Sequence, residues 1–187
     1  MRSSLPVIAA TLVIAAPALA AEVVPVPQFR SVELRGGGAV TVAPGPVERV
    51  TIVEGSSRIT RLHVDADGKL RIDTCVDQCP PSYRLRVAIQ SPGVPDLAIS
   101  GGGIIVAEGG FRPQPRLAAA VNGGGHIDAR AVEAGKVSAA INGGGELLVR
   151  PRDSLAAAVN GGGHVRYWGN PRVTSAVHGG GAVSSGS

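Results

Sequence analysis

From residue 97 onward the apolar positions of this chain recur in step with glycine triplets. When the triplets beginning at Gly101, Gly123, Gly143, Gly161 and Gly179 are aligned, Ile99, Val121, Ile141, Val159 and Val177 stand two residues ahead of them. Two residues past the last glycine stand Ile105, Ile127, Leu147, Val165 and Val183. Six residues before the triplet come Leu117, Val137, Leu155 and Val173, with Ala119, Ala139, Ala157 and Ser175 between the columns. This is period-two alternation, the mark of strands with one buried face. It predicts two strands per repeat with a Gly-Gly-Gly corner between them. The triplets are 22, 20, 18 and 18 residues apart, and repeats of this length signal a solenoid whose rungs stack like residues on like. The expectation is a parallel β-helix or a closely related β-solenoid.

The first half alternates too, with turn signals between. Strands are predicted at 29–34, 39–42, 49–53, 59–64, 69–74 and 83–89, and Asp65-Ala66-Asp67-Gly68 is a hairpin turn between two of them. Residues 107–116, rich in glycine and proline, are predicted as a surface loop. Helical periodicity is absent after the first twenty residues, and 27 glycines with 14 prolines disfavour long helices. The chain is predicted to be all-β.

A solenoid corner needs positive φ, which glycine adopts without steric penalty. Asparagine tolerates such turns next best, and Asn122, Asn142 and Asn160 precede the corners, with Ser100 and His178 at the ends of the column. An asparagine ladder is expected there, its amides bonding from rung to rung. A phosphate-cradling reading of the triplets is rejected, because no Lys-Ser or Lys-Thr follows any of them and no helix is predicted to begin there.

Arg2, a short apolar run and Ala18-Leu19-Ala20 read as a secretory signal over residues 1–20, cleaved after Ala20. Residues 21–187 are expected to form one domain with one core. No later run approaches the length of a transmembrane segment. The alanine, glycine and arginine usage fits a Gram-negative bacterium, so the expected location is periplasmic or secreted. The formal charge of +4 is spread along the chain, whereas a nucleic-acid footprint needs clustered Lys and Arg. Weak attraction to anionic lipopolysaccharide or peptidoglycan is compatible with that charge. Cys75 and Cys79 are expected to form a structural disulfide in an oxidising compartment.

These features in this order resemble one family. The glycine corners every 20 or so residues, the exported N-terminus, the opening strand at Phe29, the hairpin ending Gly68-Lys69-Leu70-Arg71-Ile72 and the closing Tyr167-Trp168-Gly169-Asn170-Pro171 are similar to the putative auto-transporter adhesin, head GIN domain family. That family usually carries Gly-Ser-Gly at its corners, where this chain has Gly-Gly-Gly. The resemblance implies a right-handed parallel β-helix-like fold and brings no catalytic residues with it.

Three outward features are candidates for function. His126, Glu146 and His164 each follow a triplet and should line up on adjacent rungs, a donor set suited to a divalent metal such as zinc, although strands place donors in a row rather than round a point. The competing reading is a solvated column in which Glu146 pairs weakly with either histidine. Ala118, Ala120, Ser138, Ala140, Ala156 and Ala158, continued by Thr174 and Ala176, make a flat face of small residues, suited to the chain's own N-terminal strands or to self-association. A carbohydrate-active β-helix enzyme would want clustered carboxylates in an aromatic groove, and aromatics are 3% of the chain. The expected function is therefore a non-enzymatic, adhesin-like binding or structural role in the envelope, with a glycan or protein partner and no cofactor. A lyase or hydrolase, or a periplasmic metal-binding protein, is the alternative.

Overall fold

The computed structural model describes residues 21–186, and strands are the only regular elements among them. In chain order they are β1 (Glu22–Val24), β2 (Ser31–Gly36), β3 (Ala39–Pro44), β4 (Arg49–Glu54), β5 (Arg61–Val64), β6 (Lys69–Asp73), β7 (Arg86–Ser91), β8 (Asp96–Gly101), β9 (Ile104–Ala107), β10 (Gln114–Gly123), β11 (His126–Gly143), β12 (Glu146–Asn160), β13 (His164–Tyr167), β14 (Arg172–His178) and β15 (Ala182–Ser185). They join in one mixed sheet, barrel-like and nearly closed, round a single hydrophobic core. The signal sequence expected at 1–20 lies outside the described residues.

Most of the sheet is built from parallel tiers in register. Ahead of the corners β2, β8, β10, the later halves of β11 and β12, and β14 pair in that order. Past the corners β3, β9, the early halves of β11 and β12, β13 and β15 do the same. The apolar columns become ladders along this stack. Ile72, Leu34, Ile99, Val121, Ile141 and Val159 form one, and Val87, Val40, Ile105, Ile127, Leu147 and Val165 another, all of them buried. Burying each such side chain contributes about 1.5–3 kcal/mol, so a core with few aromatics is still substantial.

Three expectations need correction. The sheet is not wholly parallel: β1 with β4, β4 with β7, and β5 with β6 are antiparallel. Between β5 and β6 the cause is a short connection, since the four residues Asp65 to Gly68 can close a hairpin but cannot carry a parallel crossover, which takes about a dozen residues or more. Asp65 holds that turn, accepting from the amides of Asp67 and Lys69 and from Arg71 Nε, each at 3.0 Å. Its carboxyl is held below the usual value, chiefly by the Lys69 amide. Second, β11 and β12 run unbroken from one triplet to the next, so each of these repeats has one break rather than two. Their registers slip between Ala129 and Glu133 and again between Ala134 and Lys136, which absorbs the difference between a 20-residue and an 18-residue repeat. Third, strand begins at Gln114, inside the expected loop at 107–116.

One tier escaped the sequence reading. Gly36-Gly37-Gly38 is a further triplet, with Leu34 two residues ahead and Val40 two residues after, and Gly36 stands in register with Gly101. The later strands β6 and β7 stack on the far side of β2 and β3, so chain order and spatial order differ here. This outer tier turns its corner through residues 74–85, which contain the Cys75–Cys79 disulfide (Cα–Cα 5.9 Å) in place of a glycine triplet. The Thr74 amide bonds the Arg35 carbonyl at 3.1 Å, and the Gly37 amide bonds Thr74 Oγ1 at 3.2 Å, pinning the loop to the neighbouring corner.

The three glycines of a triplet have different tasks. Gly143 has φ +126°, and a Cβ on it would stand 2.5 Å from the Gly123 carbonyl oxygen of the tier before. A Cβ on Gly145 would strike Val121 Cγ1 at 2.5 Å, whereas one on Gly144 meets nothing within 4 Å. The middle position therefore has room for a side chain, such as the serine of a Gly-Ser-Gly corner. Gly143→Ala is expected to destabilise by about 1–3 kcal/mol or more, and Gly144→Ala to change stability by no more than about 1 kcal/mol, as read by urea denaturation of the two variants side by side.

Candidate functional site

The strands ahead of the corners present one broad outward face, four columns wide, because residues of even number from 116 to 122 share a side of β10. Its central column is Arg71, Glu33, Ala98, Ala120, Ala140, Ala158 and Ala176, all in register. Beside it lie Ala118, Ser138, Ala156 and Thr174. Together these small residues floor a shallow groove of about 570 Å³, closed at one end by Ser31, Lys69 and Asp96. The chain's own N-terminal strands do not cover this face. β2 and β6 extend it sideways, and Ser138, Ala156 and Ala158 are exposed.

Charged and amide columns border the groove. One border is Arg116, Lys136, Ser154 and Arg172, in register. Among the described residues no ion pair involves Arg116, Lys136 or Arg172. The charges at the β2–β6 end do find partners: Lys69 meets Glu33 at 3.7 Å, Arg35 meets Asp73 at 3.5 Å and Arg71 meets Asp65 at 2.9 Å. The groove thus has a self-neutralised end and an uncompensated basic side. Sequence reasoning missed this column, although it is legible seven residues ahead of each triplet.

The opposite border is the asparagine column. Asn142 Nδ2 donates to Asn122 Oδ1 and Asn160 Nδ2 to Asn142 Oδ1, each at 3.0 Å. Stacked amides suit this role because each carries a donor and an acceptor on one planar group. His178 stands in register opposite Asn160, at the end of the amide chain. Ser100, at the other end, donates instead to Glu33 Oε1 at 2.8 Å.

Past the corners, Ile104, His126, Glu146, His164 and Ala182 are in register. His126 Nδ1 lies 3.1 Å from Glu146 Oε2, and Arg166 Nη2 lies 4.0 Å from Glu146 Oε1. Glu146 is thus shared between a histidine and an arginine. Among the described residues no three of His, Cys, Asp and Glu gather to hold a metal ion. His126, Glu146 and His164 stand in a row on three adjacent strands, as the repeat spacing predicts.

The sharpest electrostatic feature is one turn further on. Arg130 donates to Asp128 through Nε at 3.0 Å and through Nη2 at 2.6 Å, and its guanidinium sits 5.1 Å from the centre of the Trp168 ring. The Arg130 hydrogen bond, more than any other cause, holds the Asp128 carboxyl below its usual value, and Asp128 in turn raises Arg130. Gly186 lies against the same indole with no room for a Cβ. The lone tryptophan is therefore engaged by the chain itself and is not a platform open on both faces for a sugar. Asp128, with Glu108, Arg130, Arg150 and Trp168, lines a second open depression, in which Arg130 holds the Asp128 carboxylate through both Nε and Nη2.

A depressed carboxyl contributes stability above its unfolded value and loses it as pH falls through the folded one. Asp128→Asn should therefore be less stable than the parent at pH 6, and the gap should close as pH drops below the usual 3.8 of an aspartate. Urea denaturation at pH 6 and pH 3 measures the difference.

No curated protein matches the chain. A putative adhesin from Bacteroides fragilis NCTC 9343 is 17% identical with a TM-score of 0.49, covering 89% of this chain and 96% of its own. A putative lipid binding protein from Parabacteroides distasonis ATCC 8503 is 15% identical with a TM-score of 0.41, covering 90% and 96%. A putative adhesin from Parabacteroides merdae ATCC 43184 is 14% identical with a TM-score of 0.35, covering 90% and 96%. Among the described residues no helix is long and apolar enough to cross a membrane. Residues 115–171, which carry three of the triplets and most of the basic and asparagine columns, match the putative auto-transporter adhesin, head GIN domain family, the family that the sequence resembles.

Proposed function

We propose that this chain is an exported, envelope-associated, adhesin-like protein that binds rather than catalyses, and that its tiers coil as a right-handed parallel β-solenoid with antiparallel strands closing one end. The observation that carries the reading is the groove floored by Ala98, Ala120, Ala140, Ala158 and Ala176 and edged by the unpaired cations Arg116, Lys136 and Arg172. An apolar floor beside fixed positive charge suits an anionic, partly apolar partner, and lipopolysaccharide or peptidoglycan fragments have that chemistry. The match to an adhesin-type family supports the same reading, and the N-terminal segment supports export. A non-enzymatic role fits a surface on which Glu33, Asp65, Asp73, Asp128 and Glu146 are tied to arginines, lysines or histidines.

The small-residue face also admits self-association, and one substitution separates the two readings. Ala140→Arg should change the oligomeric state if Ala118, Ala120, Ser138, Ala140, Ala156 and Ala158 pack against a second copy. If the face takes a glycan, the oligomeric state should stay the same and binding should change. Saturable, salt-sensitive binding to lipopolysaccharide or peptidoglycan fragments is expected, falling about tenfold or more in the double variant Arg116→Glu with Lys136→Glu. Absence of saturable binding, or binding indifferent to that double change, contradicts the proposal. Shortened or unsaturated glycan products would favour the carbohydrate-active enzyme.

A further inference from the structure

The last tier is where the two corner-flanking apolar ladders meet solvent. Val121, Ile141 and Val159 are at most 1% exposed, yet Val177, the next member of their ladder, is 41% exposed. Leu117, Val137 and Leu155 are at most 2% exposed, and Val173 beyond them is 38% exposed. The difference is one of position in the stack, not of residue type. Among the described residues β14 pairs only with β12, and β15 only with β13, so nothing covers their outer side. A seven-residue strand therefore presents unpaired amides and carbonyls beside exposed aliphatic side chains.

The opposite end of the stack is protected. There the outermost tier is closed by β5, four residues long with Arg61 and His63, and by β1, three residues long with Glu22, both paired antiparallel. Short, charged, antiparallel edges are the usual guards against further strand addition. β14 has none of these: it is longer, parallel to its neighbour, and its one Lys, Arg, Asp or Glu residue is Arg172 at its start.

We propose that the outer edge of β14 docks a second copy of this chain, two β14 strands pairing antiparallel about a two-fold axis at Ser175. The sequence of the strand, Arg172-Val173-Thr174-Ser175-Ala176-Val177-His178, selects that partner and register. Centred on Ser175, Val173 opposes Val177 of the second copy and Val177 opposes its Val173, Thr174 opposes Ala176, and Arg172 opposes His178. Inward side chains meet inward ones, as the pleat requires. Centring instead on Thr174 or Ala176 sets valine against serine, and a centre between residues sets inward positions against outward ones. No acid stands on the strand to favour a basic partner instead. A two-fold contact of this kind is self-limiting, because each copy uses its one open end. The contact lies on the end of the stack and leaves the alanine groove free, so it stands apart from the binding proposed there.

Light scattering on the eluting protein over a wide range of concentration tests the idea. A concentration-dependent dimer is expected, with Val177→Lys weakening it at least tenfold while leaving the circular dichroism of the monomer unchanged. A second variant reads the register without relying on that one. Ser175→Cys places a thiol opposite its own copy at a cross-strand Cβ separation of about 4.5–5.5 Å, so a disulfide-linked dimer should form on air oxidation, whereas Ser138→Cys on the alanine face should not cross-link. A monomer at every concentration overturns the proposal. So does a dimer indifferent to Val177→Lys, or cross-linking of the Ser138→Cys variant equal to that of the Ser175→Cys variant.

Discussion

The structure depends on how closely one glycine backbone rests on the next. At each corner the Cα of the first glycine lies over the carbonyl of the same glycine in the tier before, so closely that a Cβ would stand 2.5–2.8 Å from that oxygen. The amide after it bonds across the same gap, as Gly124 does to Gly101 and Gly144 to Gly123, each at 3.0 Å. This contact fixes where a tier begins. Because strand alternation has period two, fixing one residue of a strand fixes the face of every other. Register at the corner therefore decides which side chains are core and which are surface.

Two properties follow from that one constraint. Inside, like residues stack on like, so Val, Ile and Leu fill the core in ladders and the chain manages with two Phe, two Tyr and one Trp. Outside, each position in the repeat becomes a continuous stripe: cations, small residues, alanines and amides lie side by side across one face. A surface of this kind presents the same chemistry at each strand spacing, about 4.8 Å, and it is rigid because moving one element would break register with two neighbours. The regularity ends where the stack ends. There one end is guarded by short antiparallel strands and the other leaves Val173 and Val177 exposed.

The repeat half of the fold was legible because its signal is local and multiplied. Five aligned triplets gave the apolar columns, the outward columns and the parallel pairing of strands 18 to 22 residues apart. The first half was harder to read. All its strands but β1 were placed to within a few residues, but most of their partners lie far away in sequence, and nothing local says that β6 and β7 stack outside β2 and β3. Gly36-Gly37-Gly38 carried the same signal as the later triplets and was hidden by the 65 residues that separate Gly36 from Gly101. At the candidate site the alanine stripe and the asparagine column could be read from the alignment. The basic border could not be weighed without knowing that Arg116, Lys136 and Arg172 find no acid among the described residues, because ion pairing across tiers depends on side-chain reach and not on order in the chain. The histidine column shows the converse: alignment brings residues onto one line, and only geometry tells whether a line can enclose an ion.

The most direct test of register-locked stacking is a distance along one column. Nitroxide labels at Arg71→Cys and Ala176→Cys sit at the two ends of the column that runs through Glu33, Ala98, Ala120, Ala140 and Ala158. Six strand spacings of about 4.8 Å place their backbones about 29 Å apart. Pulsed electron paramagnetic resonance on the doubly labelled protein, diluted with unlabelled chain, should return one narrow distribution near that value once label length is allowed for. A distance much shorter than six strand spacings, or a broad distribution spanning several spacings, would contradict the account.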